Sequence, residues 1–240
     1  MSGRRLLASL LFLLFGTAQA EAPRVAIIID DMGYSLTNGK RAIALPGPVA
    51  FSFLPGAPRA RWLAELAHDH GKEVLLHLPL QAHLDESRSE PAEIHIDMSR
   101  MAVSSTFDEA LSSVPYVIGI NGHRGSLFTR HPGHMQWLME EIREREGLFF
   151  IDSYTHHDSV ALQIADETGV DAMKRDVFLD PDRLPETVAR EFERMKDLAR
   201  TRGQVVAIGH PYPATLDLLE RELPRLIEEG FELVHISEML

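Results

Sequence analysis

The chain contains no cysteine, and after Arg5 it has no block of lysine or arginine. The first absence rules out a disulfide scaffold and any thiolate-ligated metal. The second, with 36 Asp+Glu against 24 Lys+Arg and a formal net charge of −12, argues against nucleic acid as a partner, because phosphate binding needs a basic face. Three motifs are also missing: a G-x-S-x-G elbow, a strand-linked G-x-G-x-x-G, and G-x-x-x-x-G-K-[ST]. Serine hydrolase, dinucleotide and P-loop readings lose their support. What is present is a 45% hydrophobic fraction over 240 residues, enough to fill a core, and 12 histidines.

Met1–Ala20 combines Arg4-Arg5, an apolar run from Leu6 to Phe15, and Ala18-Gln19-Ala20 before Glu21. That order is a secretory signal peptide cleaved after Ala20. The alternative is an uncleaved anchor, but the run is short for a bilayer that needs roughly 20 residues. Cleavage removes two basic residues and no acidic one, so the mature chain stands at −14. The expectation is an exported protein, periplasmic or secreted, with one domain over residues 21–240 and no stable membrane insertion.

From residue 24 onward short apolar runs alternate with amphipathic stretches, and no linker or repeat divides them. The runs are Val25–Ile29, Val49–Leu54, Glu73–Leu78, Val117–Ile120, Leu148–Ile151, Val170–Met173, Val205–Ile208 and Phe231–Ile236. Most lack period-2 alternation, the mark of strands covered on both faces. Leu184, Val188, Phe192, Met195 and Leu198 stripe one face of a helix ending near Gly203, and Trp62, Leu63, Leu66 and Ala67 do so before Gly71. Pro224 predicts a kink or split in the helix over 214–229, and residues 81–98 read as a long polar loop. Seven or eight strand–helix units predict an α/β fold, either a parallel barrel or a doubly wound sheet.

In such folds functional groups gather at the carboxyl ends of the strands. Those positions hold Asp30-Asp31, His77, Asn121 and His123, Asp152, Arg175-Asp176, His210 and His235. Adjacent carboxylates could cap a helix, but their repulsion is costly unless a cation or a working proton offsets it. His77 could be a core histidine, yet Pro79 ends the strand there. His123 lies between Gly122 and Gly125, and His210 sits in a rigid Gly209-His210-Pro211 turn. His68, His70, His83, His95, His131 and His134 read as solvated surface, and His156-His157 as loop residues that could line a cleft. One aspartate and two histidines with an open position make a hydrolytic Zn²⁺ arrangement.

Five ordered segments, Val25–Gly33, Glu73–Leu80, Asn121–Thr129, Phe149–Ser153 and Ile208–Thr215, together resemble the divergent polysaccharide deacetylase family. The resemblance covers essentially the whole mature chain. It implies a distorted β/α barrel of seven to eight strands, a polysaccharide or glycan substrate, and Zn²⁺ or another divalent metal. It further implies Asp30 as general base, Asp31 and His77 as metal ligands, and His210 as the acid that protonates the leaving amine. Asp152 or Asp176 would orient a catalytic group. The wider deacetylase superfamily places a second metal histidine four residues after the first, but Gln81 stands there, so His123 is the candidate. Gly122 and Arg124 also depart from the family pattern. The implied reaction is removal of N-acetyl groups. The missing histidine motivates a rival, a catalytically weak barrel that binds glycans or assists envelope assembly.

Overall fold

The computed structural model describes residues 21–83 and 90–240, so the signal-peptide reading of 1–20 lies outside the described residues. Among the described residues nine strands form: β1 (Arg24–Met32), β2 (Ala50–Phe53), β3 (Val74–Leu80), β4 (Val117–Arg124), β5 (Phe149–Asp152), β6 (Ala172–Lys174), β7 (Val177–Phe178), β8 (Gln204–Gly209) and β9 (Glu232–Leu233). Seven α-helices of the described residues alternate with them: α1 (Leu36–Ile43), α2 (Ala60–Asp69), α3 (Arg100–Ser113), α4 (Pro132–Arg143), α5 (Ala161–Thr168), α6 (Pro185–Arg202) and α7 (Pro213–Glu228). Among the described residues no helix is long and apolar enough to cross a membrane.

The strand order is β6-β5-β4-β3-β2-β1-β8-β7, every pairing is parallel, and β9 adds to β1 at Arg24 and Val25. β6 and β7 lie at opposite ends of this order, yet only Arg175 and Asp176 separate them. Two residues reach about 10 Å at most, so the sheet must curl until its ends meet. The result is a distorted parallel β/α barrel closed by a covalent seam. The seam is pinned on both sides: Arg175 N–H donates to the Asp152 carbonyl and Asp176 N–H to the Val206 carbonyl, each at 2.9 Å.

Alternation within the apolar runs fills two cores. Val25, Ile27 and Ile29 of β1 pack against the helices, whereas Ala26 and Ile28 join Leu75, Ile151, Val206 and Ile208 inside the barrel. Val234, Ile236 and Met239 complete the interior beyond β9. The interior is narrow at Gly119 on β4, where an added Cβ would run into the Phe149 ring.

Several expectations need correction. α7 continues through Pro224 as one helix, because Leu216, Leu219, Leu223 and Leu226 are buried on both sides of it and their packing outweighs one lost hydrogen bond. The 231–236 run contributes only a two-residue strand, and His235 lies beside Glu73 at the amino-terminal start of β3, away from the other strand ends. β7 is too short to produce a periodic signal. His134 is buried against Phe128 and Trp137 rather than solvated. The 81–98 stretch, outside 84–89, is the loop its sequence predicts, held to the end of β3 by one Ile94–Leu80 bridge.

Candidate metal centre and active-site pocket

Strand alternation turns Asp30 into the barrel, where it is buried. A regular strand would send Asp31 outward to the helix layer. Instead the β1–β2 ladder breaks between Ile29 and Met32, and Asp31 adopts φ 54°, a left-handed conformation rarely taken by a residue with a side chain. Both carboxylates therefore reach the mouth of the barrel. On the neighbouring strands His77 pairs in register with Asn121, and Pro79 with His123, which brings the two imidazoles to the same mouth.

Asp31 Oδ1 lies 3.3 Å from His77 Nε2 and 3.2 Å from His123 Nδ1, and the two nitrogens are 3.0 Å apart. Ligands about 2.0 Å from a tetrahedral Zn²⁺ are separated by about 3.3 Å, so this triangle has the size of one face of such a site. Asp31 Oδ1 is buried without a hydrogen-bond partner. The far nitrogens fix the protonation: His77 Nδ1 meets the Asn121 amide oxygen, and His123 Nε2 lies 3.2 Å from the Glu90 carboxylate. Each far nitrogen carries its proton, so two lone pairs and a carboxylate oxygen converge on one point. Such a donor set fits a divalent cation.

Without a cation, a proton must serve. Burial would lower the His123 pKa, but Asp31 and Glu90 outweigh it and raise it to about 9. Burial would likewise raise Asp31, and the imidazoles of His123 and His77 instead hold its carboxyl well below the usual range.

Asp30 is positioned by Asn121, whose Nδ2 donates to both carboxylate oxygens at 3.1 and 3.2 Å while Ser52 Oγ donates to its Oδ1 at 2.9 Å. Burial raises the Asp30 pKa, against the opposing pull of His77, His210 and Asn121. Across the pocket Asp180 accepts from His210 N–H at 2.7 Å, from Nδ1–H at 2.9 Å and from Thr215 Oγ at 2.6 Å. His210 Nε2 thus faces the cavity, 3.7 Å from Asp31 Oδ2. Burial would lower its pKa, but Asp180, with Asp30 and Asp31, raises it. The cavity, of about 200 Å³, is lined by Asp30, His77, His123 and His210 together with Ser153, Arg175 and the apolar Phe178 and Ile208.

The structure gathers Asp30, Asp31, His77, His123 and His210, but it does not bring Asp152 or Asp176 into the pocket. Asp152 faces the layer outside the barrel, accepting from Ser159 Oγ at 2.7 Å and Tyr154 N–H at 2.8 Å, and its neighbour Ser153 lines the cavity instead. Asp176 accepts from Val206 N–H and Arg202, which tightens the seam. The orienting carboxylate is Asp180, which the sequence reading missed; its signal was Leu179-Asp180-Pro181, a strand end followed by proline like His210-Pro211. Gln81 is structural: its Oε1 accepts from Ile96 N–H at 2.9 Å. His156, His157 and Asp158 also group together, but on consecutive, largely exposed loop residues that the cavity does not include.

Two curated relatives match along most of the chain. Uncharacterized protein YibQ of Escherichia coli (strain K12) is 38% identical over 219 residues, covering 91% of this chain and 68% of that protein. An uncharacterized protein of Haemophilus influenzae is 35% identical, covering 95% and 80%. Among solved structures, uncharacterized ATU2773 from Agrobacterium tumefaciens C58 superposes with a TM-score of 0.88 at 22% identity, covering 92% of this chain and 90% of that one. The catalytic domain of peptidoglycan N-acetylglucosamine deacetylase from Eubacterium rectale gives 0.54 at 10% identity, covering 91% and 93%, and shares the fold. Residues 27–240 match a family described as divergent polysaccharide deacetylase, a span that includes every residue of the pocket, and the chain belongs to that family.

Proposed function

We propose that the protein is a metal-dependent hydrolase that removes N-acetyl groups from a polysaccharide or envelope glycan. The observation that carries this reading is the convergence of Asp31, His77 and His123 on one point, with Asp30 and His210 beside it. Asp31, His77 and His123 would hold the ion, Zn²⁺ by the chemistry of two imidazoles and a carboxylate. When bound, such an ion supplies Lewis-acid polarisation of an acyl oxygen and a more acidic water. Asp30, its pKa raised by burial, takes a proton from the attacking water. His210, held by Asp180 on Nδ1, gives the Nε2 proton to the departing amine as the C–N bond breaks. Acetate and a free amino sugar result.

The rival reading as a glycan-binding barrel rested on Gln81, and His123 answers that motive from the next strand. The peptidoglycan substrate named for the Eubacterium rectale domain supports an N-acetyl amino sugar here. Export to the periplasm, read from residues 1–20, would put the enzyme where such polymers lie.

The test is acetate release from N-acetylated glycans by the mature protein with its bound metal counted. Asp30→Asn and His210→Ala should keep one Zn²⁺ and lose at least about 100-fold in kcat. Asp31→Ala should lose both the metal and the activity. A wild type that holds no metal and frees no acetate across chitin oligomers and peptidoglycan would sink the proposal.

A further inference from the structure

One contact at the centre is not used by the reaction just described. Glu90, from the connection between β3 and α3, places both carboxylate oxygens against His123 Nε2, at 3.3 and 3.2 Å. Its position is built rather than incidental. Glu90 N–H donates to the Glu93 carboxylate at 3.2 Å, Glu93 N–H returns to the Glu90 carbonyl at 3.2 Å, and Glu93 itself is buried. One residue on, Ile94 N–H donates to the Pro79 carbonyl at 2.9 Å, and Gln81 N–H donates back to the Ile94 carbonyl at 3.0 Å. The segment that carries Glu90 is thus fastened to the end of β3, two residues beyond His77.

We infer that Glu90 is the positioning carboxylate of the metal centre, the group that fixes which nitrogen of His123 is free to bind the ion. An imidazole can present either nitrogen, and only Nδ1 of His123 points at Asp31 and His77. A carboxylate on Nε2–H keeps the proton there, orients the ring and makes Nδ1 a more basic ligand. His77 receives the same service from the neutral Asn121 oxygen, so the two ligands are held by acceptors of different strength. The need for Glu90 follows from geometry: His123 comes from a different strand than His77, with no local motif to set its ring. Arg124 Nη1, 3.6 Å from Glu90 Oε1, adds a positive charge beside the carboxylate.

The inference rests on the metal reading proposed above, and the experiment separates the two. Zn²⁺ affinity of the mature protein is measured by competition with a chromogenic chelator, for wild type, Glu90→Ala and Glu90→Gln, with circular dichroism to establish that each is folded. The wild type should bind one Zn²⁺. Glu90→Ala should weaken binding 10- to 100-fold. Glu90→Gln keeps an acceptor oxygen but loses the charge, so it should fall between them, an order that a merely structural role would not produce. A downfield ring proton on His123 Nε2 should be visible by NMR in the zinc-loaded wild type and absent in Glu90→Ala. Equal affinity of wild type and Glu90→Ala would overturn the role of Glu90 and leave the centre standing. A wild type that binds no Zn²⁺ would overturn the centre, and this inference with it.

Discussion

Three imidazoles meet at the mouth of the barrel, and each is held on its far nitrogen by an oxygen: Asn121 for His77, Glu90 for His123, Asp180 for His210. Only His210 pairs a carboxylate with a place outside the donor triangle, which suits an acid rather than a ligand. In the proposed reaction it must be protonated to donate, so the proposed activity should be lost as pH rises through its raised pKa. Asp180→Asn removes the main charge that raises that pKa, so the alkaline limb of kcat/KM against pH should move to lower pH, and the rate above neutrality should fall at least about tenfold. An unmoved limb would show that His210 is not the acid. Residues at strand ends were legible because β/α geometry delivers them together: Asp30, Asp31, His77, His123 and His210 all stand just where an apolar run stops. Glu90 and Asp180 were not, because neither ends a run long enough to register, and a carboxylate in a polar connection looks like solvated surface until its partner is known.

At the scale of elements, the runs that read as strands form strands, and the helices striped by Leu184–Leu198 and Trp62–Ala67 lie where their apolar positions repeat. Gly203, at φ 82°, ends α6 as its place in the sequence suggests. The seam between β6 and β7 was illegible, since three residues and two residues carry no periodicity. Its partners are set by hydrogen bonds that no pattern encodes. Asp176 belongs to that seam rather than to catalysis. Asp176→Ala should leave the Val206 N–H without its side-chain acceptor and destabilise the fold by about 1–2 kcal/mol in urea unfolding, while kcat per folded molecule stays near wild type. A large loss of kcat with unchanged stability would return Asp176 to the active site.

Across the whole molecule, the clustering of acids around the pocket links stability to pH when the metal is removed. His123 has a folded pKa of about 9 against 6.5 unfolded, so its contribution is complete below about pH 6.5 and is lost as pH rises through 9. Metal-free protein should therefore lose roughly 2 to 3 kcal/mol of stability over that window, seen as a falling urea midpoint. His123→Gln should flatten the dependence. The same linkage makes Zn²⁺ displace a proton, so apparent affinity should climb with pH up to about 9. The chain's net charge of −12 would suit the proposed substrate where that glycan is neutral, or turns cationic as acetyl groups leave.

The ring order also bears on how the chain assembles. From β1 through β8 each strand pairs with the next in sequence, the two half-strands β6 and β7 counting as one, and only β1 with β8 breaks the rule, Val25 meeting Val205 180 residues later. With the β9 pairing to β1, which spans still more chain, it carries the largest loop-closure entropy, so these contacts are the natural last step of folding and the slowest to nucleate. Asp30 and Asp31 end β1 and His210 follows β8. The proposed base and acid are therefore separated until the ring shuts, and a partly folded chain, however much of its sheet has formed, would lack the pair that the proposed reaction needs.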